Sequence, residues 1–216
     1  HIHCHADLER ILTPQLEYFC KGMAYNVEFH LINPTKAEVV YEDRSVTVSS
    51  IPLRHRIPTC GFLFAEKPTP NHIIRDMIDF YKVPVFELNR IKNGEDYVLP
   101  DGTVIPNNRL TTPPAPPRSY AYCSDTIFHR PIIEQIKGVN LLFHEATFAQ
   151  CDAQRAKETF HTTAMQAGEI ARDADVKQLL IGHFSARYED ENILLQEARS
   201  VFPNTLLAKE NLKVTL

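Results

Sequence analysis

The sequence predicts an α/β layered domain carrying one inserted arm, and three observations predict it. From residue 119 onward, apolar strand-like runs alternate with helical patterns, the order that builds a sheet covered by helices. Three of those runs, at 120–123, 141–143 and 179–182, deliver an acid or an imidazole where the strand should stop: Asp125, then His144 with Glu145, then His183. Between 67 and 118 the pattern breaks into turns and prolines, the composition of an insertion rather than of a core layer.

Each element has its own signal. Residues 1–5 alternate His-Ile-His-Cys-His and read as a strand. Residues 7–20 follow as a helix, with Leu8, Ile11 and Leu12 on one face and Asp7 as its N-cap. Alternating imidazoles invite a metal reading, but a two-metal HxHxDH turn needs Asp two places after its second His. His5 stands there instead, so a strand-to-helix junction is the better reading. Strands are predicted at 27–32, 37–41 and 45–53, parted by the turn signals Asn33-Pro34 and Glu42-Asp43. That last strand runs out at His55, Pro58 bends the chain, and 60–64 resumes as strand.

The inserted arm, 67–118, opens with a helical piece at 73–81 and has turns at Asn93-Gly94 and Asp101-Gly102. Five prolines between Pro106 and Pro117 predict a stiff, extended connection without helix. The arm has seven Lys/Arg against six Asp/Glu, so it is the least acidic large piece. Beyond it the pattern predicts a strand at 119–123, a helix near 129–137, a strand at 140–143 and helical sequence broken near His161. A helix to 174, a strand at 177–181, a helix at 189–199 and a final strand pair at 205–208 and 212–216 complete the chain.

Composition excludes several classes. With 216 residues, 44% of them hydrophobic, one well-cored domain is affordable. A net charge of −4 argues against coating nucleic acid by bulk charge, though not against a local basic patch. No apolar run approaches the roughly 18 residues of a membrane span, and no leader pattern opens the chain. Five scattered cysteines without a CxxC pair fit reduced thiols in a cytoplasmic protein better than a disulfide framework.

The candidate site residues each carry a plainer alternative. Asp125 before a helix is an ordinary N-cap, yet a carboxylate can also bridge two cations, with His55 and His183 each completing one. The Gly182 before His183 permits close backbone approach to such a site. His161 before Thr162 and Thr163 is either exposed beside a helix cap or a general acid suited to neutral pH. Glu145 either orients that imidazole or is a buried acid tied to backbone amides. The spacings are far too long for a local zinc knuckle, so any metal site is assembled by the fold from separate strand ends.

Taken together, SDT, HEATF, HTTAMQAGEIA and GHFSARY, in this order and at these intervals, resemble the ribonuclease Z family of the metallo-β-lactamase superfamily. LRHRIPTCGFLF and NGEDYVLPDGTVIP extend the resemblance over nearly the whole chain. It implies an αββα sandwich and a tRNA 3′-end processing endonuclease. It also implies two Zn2+ per subunit, with His55 on one ion, Asp125 bridging both and His183 on the other. His161, with Glu145 beside it, then handles the leaving group, and attack is by a metal hydroxide. Precursor tRNA is the implied substrate, a homodimer the implied assembly, and 67–118 the implied tRNA-gripping exosite. The family's HxHxDH is not found, so a domain lacking its N-terminal part is expected. KVPVFELNRIKNG lacks the arm's usual Gly-Pro turn, and Ser124 stands where Gly is commoner. Two other readings remain: a metal-dependent phosphodiesterase of the same fold acting on a small substrate, and a non-catalytic RNA-docking or dimerisation subunit.

Overall fold

The computed structural model describes residues 1–216, which divide into two compact units, 1–66 with 118–216, and 67–117. The chain opens with β1 (Ile2–Cys4), α1 (Ala6–Phe19) and β2 (Phe29–Leu31), and β1 pairs with β2 in parallel. That register sets His3 opposite His30, their rings stacked at 4.7 Å, while His1 Nδ1 lies 2.8 Å from His30 Nε2 and 3.1 Å from Glu28. The alternating imidazoles thus lie against one another and Glu28 on this ribbon. Asp7 is not the N-cap of α1. His5 holds that position in extended conformation, and Asp7 sits in the first turn, 3.0 Å from Arg10. Leu8 and Ile11 are exposed rather than packed.

Next come β3 (Val39–Glu42), β4 (Val46–Pro52) and β5 (Cys60–Glu66), an antiparallel meander. The smaller unit follows: β6 (His72–Ile73), α2 (Arg75–Phe80), α3 (Leu88–Lys92), β7 (Tyr97–Val98), β8 (Val104–Ile105), α4 (Asn107–Leu110) and β9 (Thr111–Thr112). It has a core of its own, made by Ile78, Val83, Ile91, Ile105 and Leu110. Asn107 ties it together, its side-chain amide donating to the carbonyls of Ile91 and Glu95 at 2.6 and 2.7 Å. The prolines did not exclude helix here. Pro106 occupies the N-cap of α4, where a missing N–H costs nothing, and only 113–117 lacks regular structure.

The remaining chain supplies β10 (Ser119–Cys123), β11 (Leu141–Glu145), α5 (Ala153–Thr159), α6 (Ala164–Asp173), β12 (Gln178–Gly182), α7 (Asn192–Val201) and β13 (Thr205–Leu207). The helix expected near 129–137 is only a 3₁₀ turn, Arg130–Glu134; Pro131 at its start lacks a donor and Gly138, at φ +70°, ends the segment. No strand forms at 212–216.

These strands form one seven-stranded sheet in the order β13-β12-β11-β10-β5-β4-β3, parallel from β10 to β13 and antiparallel beyond. Strand alternation sorts its side chains onto two faces. One face carries Ile51, Ala121, Cys123, Leu142, Leu179 and Ile181, all packed with Ala164, Ala167, Ile170, Ala171, Leu194 and Ala198 of α6 and α7. Small residues let α6 and α7 approach closely; a Cβ on Gly168 would lie 2.9 Å from the Ala198 carbonyl. The other face carries Phe62, Phe64, Tyr120, Tyr122 and Phe143, with Tyr122 stacked on Phe143 at 4.7 Å. Phe64 and Tyr122 remain 41% and 40% exposed there.

Candidate metal centre

The parallel strands β10, β11 and β12 end on the same edge, and each releases a loop that carries one part of the site. Asp125 follows β10 at φ +58° and His183 follows β12 at φ +61°. A residue with a Cβ pays about 1–2 kcal/mol for that left-handed conformation, so the surrounding contacts must hold both turns. The result is a close pair, with His183 Nε2 at 3.4 Å from Asp125 Oδ1. Asp125 therefore caps no helix, and the following 3₁₀ turn has His129 at its N-cap. Gly182 serves packing: a Cβ there would lie 2.8 Å from the Phe143 ring.

Alternation separates the two polar residues that end β11. His144 points into the helix-covered core, where burial pulls its imidazole below the ordinary range; its Nδ1 lies 2.8 Å from the Glu145 carbonyl and its Nε2 has no partner. Glu145 faces the opposite way and is fully buried. Its Oε1 accepts from the Thr126 amide at 2.5 Å, and its Oε2 accepts from the Thr147 hydroxyl at 2.6 Å and the Thr162 amide at 3.1 Å. His161 Nδ1 lies 3.0 and 3.1 Å from the two oxygens. Glu145 is thus tied to backbone amides and also faces His161.

The electrostatics follow from those contacts. Burial alone would raise the Glu145 carboxyl, but hydrogen bonds from His161 and Thr147, with the Thr126 amide, outweigh it and hold the carboxyl below its usual value. The same His161–Glu145 hydrogen bond lifts the His161 imidazole above its ordinary value, against burial and with help from the Asp125 charge. His161 sits where α5 and α6 are broken. Phe160 turns at φ +60°, and Thr163 then starts α6 with a capping box, its hydroxyl accepting from the Gln166 amide.

Asp125, Glu145, His161 and His183 present ligand atoms that all lie within 4.8 Å of one another. Both Glu145 oxygens are already engaged, so the open metal donors are Asp125 and His183 Nε2, with His161 beside them. His55 is not in that group. Its ring lies 5.2 Å from that of His161, and its Nδ1 lies 3.0 Å from the Phe160 carbonyl, so Nδ1 carries the proton and Nε2 is a free lone pair. A carboxylate and neutral imidazoles, oriented through their far nitrogens, are a donor set suited to a divalent transition metal.

Sequence reasoning gave no role to Thr126 and Thr147 and offered Thr162 only as a helix cap, yet these three buried threonines surround Glu145, and Thr163 is the cap. The signal for Thr147 was present, since it stands two residues beyond a strand-ending acid. Nor did it weigh Tyr188, whose hydroxyl bonds Asp152 at 2.5 Å and the Ala149 amide at 2.9 Å, tying the loop after His183 to the loop after β11.

The chain is 72% identical to ribonuclease Z of Phocaeicola vulgatus over 216 residues, all of this chain and 70% of that protein. It is 64% identical to ribonuclease Z of Bacteroides thetaiotaomicron, covering 68% of it. The chain belongs to the ribonuclease Z family. No family model matches it. Among solved structures it resembles human tRNase Z, short form (TM-score 0.62, 18% identity, 99% of this chain and 66% of that one). It also resembles the metallo-β-lactamase fold protein YhfI from Bacillus subtilis (TM-score 0.57, 17% identity, 96% and 62%). The fold is that of the metallo-β-lactamases, and the ribonuclease Z family consists of endoribonucleases, hydrolases of phosphodiester bonds. No helix is long and apolar enough to cross a membrane.

Proposed function

We propose that this ribonuclease Z chain removes 3′ trailers from precursor tRNA, and that Asp125, His183 and His55 are the residues that would hold its zinc. The observation that supports it most is the convergence of Asp125, Glu145 and His183 from three strand ends with His161 from the α5–α6 break, Glu145 being saturated. Bound zinc supplies Lewis acidity and offsets negative charge on a phosphodiester under attack. The protein's residues do the rest. Glu145 holds His161 by Nδ1, so Nε2 is the nitrogen that can deliver a proton. Its raised basicity favours the protonated form, suited to handing that proton to the departing 3′-oxygen as the P–O bond breaks. With a water oxygen bonded to phosphorus in place of that 3′-oxygen, the products are a tRNA with a free 3′-hydroxyl and a trailer with a 5′-phosphate.

Residues 67–118 are the proposed tRNA exosite, supported by a separate core that lets the segment fold as its own unit. The five free cysteines support a cytoplasmic setting, and a homodimer is the proposed assembly. Cleavage of a precursor tRNA and of a small chromogenic phosphodiester tests the whole reading. Asp125→Asn should abolish both activities. His161→Ala should lower turnover on tRNA by about 10²–10⁴-fold, the usual worth of a general acid. Deleting the arm should harm tRNA cleavage far more than small-substrate hydrolysis, and equal loss on both would make the arm structural.

A further inference from the structure

Thr147 is the one side chain that touches both halves of the site. It is 6% exposed. Its Oγ1 lies 2.6 Å from Glu145 Oε2, 3.0 Å from His183 Nδ1 and 2.9 Å from the His183 carbonyl oxygen. A threonine hydroxyl has a single proton and two lone pairs. The proton goes chiefly to the nearest acceptor, a buried carboxylate, because charge-assisted hydrogen bonds are the stronger ones. What the hydroxyl offers His183 is then a lone pair, so His183 Nδ1 carries a hydrogen, and in the neutral imidazole that leaves Nε2 as the lone pair.

The backbone around Thr147 adds a second grip. Its carbonyl accepts from the Ser185 amide at 3.1 Å, and the neighbouring Ala146 amide donates to the Gly182 carbonyl at 2.9 Å. His183 is thereby clasped on both sides, which is what its left-handed φ of +61° requires. His55 obtains the same tautomer by a different device, the Phe160 carbonyl. A carbonyl can only accept, whereas the Thr147 hydroxyl accepts from the imidazole and donates to Glu145 in one chain.

We propose that the Thr147 hydroxyl is a positioning residue that fixes His183 as the Nδ1–H tautomer, keeps its Nε2 lone pair beside Asp125 for a cation, and links that ligand to the Glu145–His161 pair. The cation part rests on the function proposed above; the tautomer part does not. Long-range proton–nitrogen NMR on the metal-free protein reads the tautomer directly. The wild type should show His183 protonated on Nδ1, and a dominant Nε2–H form there would overturn the proposal without any variant.

Thr147→Val keeps the shape and removes the hydroxyl, while Thr147→Ser keeps the hydroxyl and removes a methyl. Valine should populate the Nε2–H tautomer and weaken zinc binding, measured calorimetrically, by about 10–100-fold, the usual effect of losing a group that orients a metal-bound imidazole. Serine should restore both. Wild-type affinity and tautomer in Thr147→Val would overturn the proposal, as would a serine variant that behaves like valine while folded by circular dichroism. If zinc bound equally well to wild type and to Asp125→Asn, the metal assignment would fail instead, and the NMR result for Thr147 would stand by itself.

Discussion

The two faces of the seven-stranded sheet are built from equally apolar residues and have different surroundings. On one, Ala121, Leu142, Leu179 and Ile181 are fully buried beneath α6 and α7. On the other, Phe64 and Tyr122 keep two fifths of their surface in solvent, although Tyr122 is stacked on Phe143. Strands buried on both faces read as continuous apolar runs, and one-sided strands alternate. The runs YAYC and LLF are of the continuous kind, so the aromatic face has the composition of a covered one. Apolar composition along a strand therefore reports what a face can pack against, and burial has to be read separately.

Substitutions can break or sharpen that contrast. Leu142→Ala removes a fully buried side chain from the covered face and should cost about 2–5 kcal/mol in urea unfolding. Gly182→Ala, which forces a methyl against the Phe143 ring, should cost about 1–3 kcal/mol by overpacking. Tyr122→Leu on the open face should cost about 1 kcal/mol, the worth of its ring stacking. A loss there as large as that of Leu142→Ala would mean the open face is covered in solution. Thr163→Ala tests the covering layer from the helix side: losing the capping box of α6 should cost about 1 kcal/mol.

The smallest effect is expected at the rim of the open face, where Glu66 at the end of β5 pairs with Arg118. Hydrogen bonds from the Arg118 side chain and backbone lower the Glu66 carboxyl to about 2. A depressed carboxyl stabilises the fold above its unfolded value of about 4.3 and loses that contribution as pH falls through about 2. Carboxyl NMR should place its midpoint there, with little change in stability because the pair is exposed to solvent screening. A midpoint in the ordinary range would remove the pair from solution.

How much of this was legible depended on distance along the chain. The strand at 119–123 and the helices on either side of the break near His161 were readable because their signals are local: periodicity, a cap, a turn. Period-two alternation could also have parted His144 from Glu145, since neighbours on a strand face opposite ways. Of the threonine shell around Glu145 only Thr147, two residues beyond the acid, was legible, because Thr126 and Thr162 reach it from other loops. The bend of 130–138 was not, with one proline and one glycine outweighing an apolar pattern of helical period. A helix cap stayed open as the plainer reading of Asp125 for the same kind of reason, since its left-handed turn depends on partners far along the chain.

That left-handed geometry sets heat resistance against competence. Asp125, Phe160 and His183 occupy a conformation that glycine adopts without strain, and all three belong to the ring of residues around Glu145 and His161. Glycine at 125 or 183 relieves about 1 kcal/mol of strain and deletes a ligand atom. A library sorted only for survival on heating would enrich those glycines and return folded, stable, metal-free proteins. Selection for thermostability in this chain therefore has to be coupled to a metal-binding or cleavage readout from the first round.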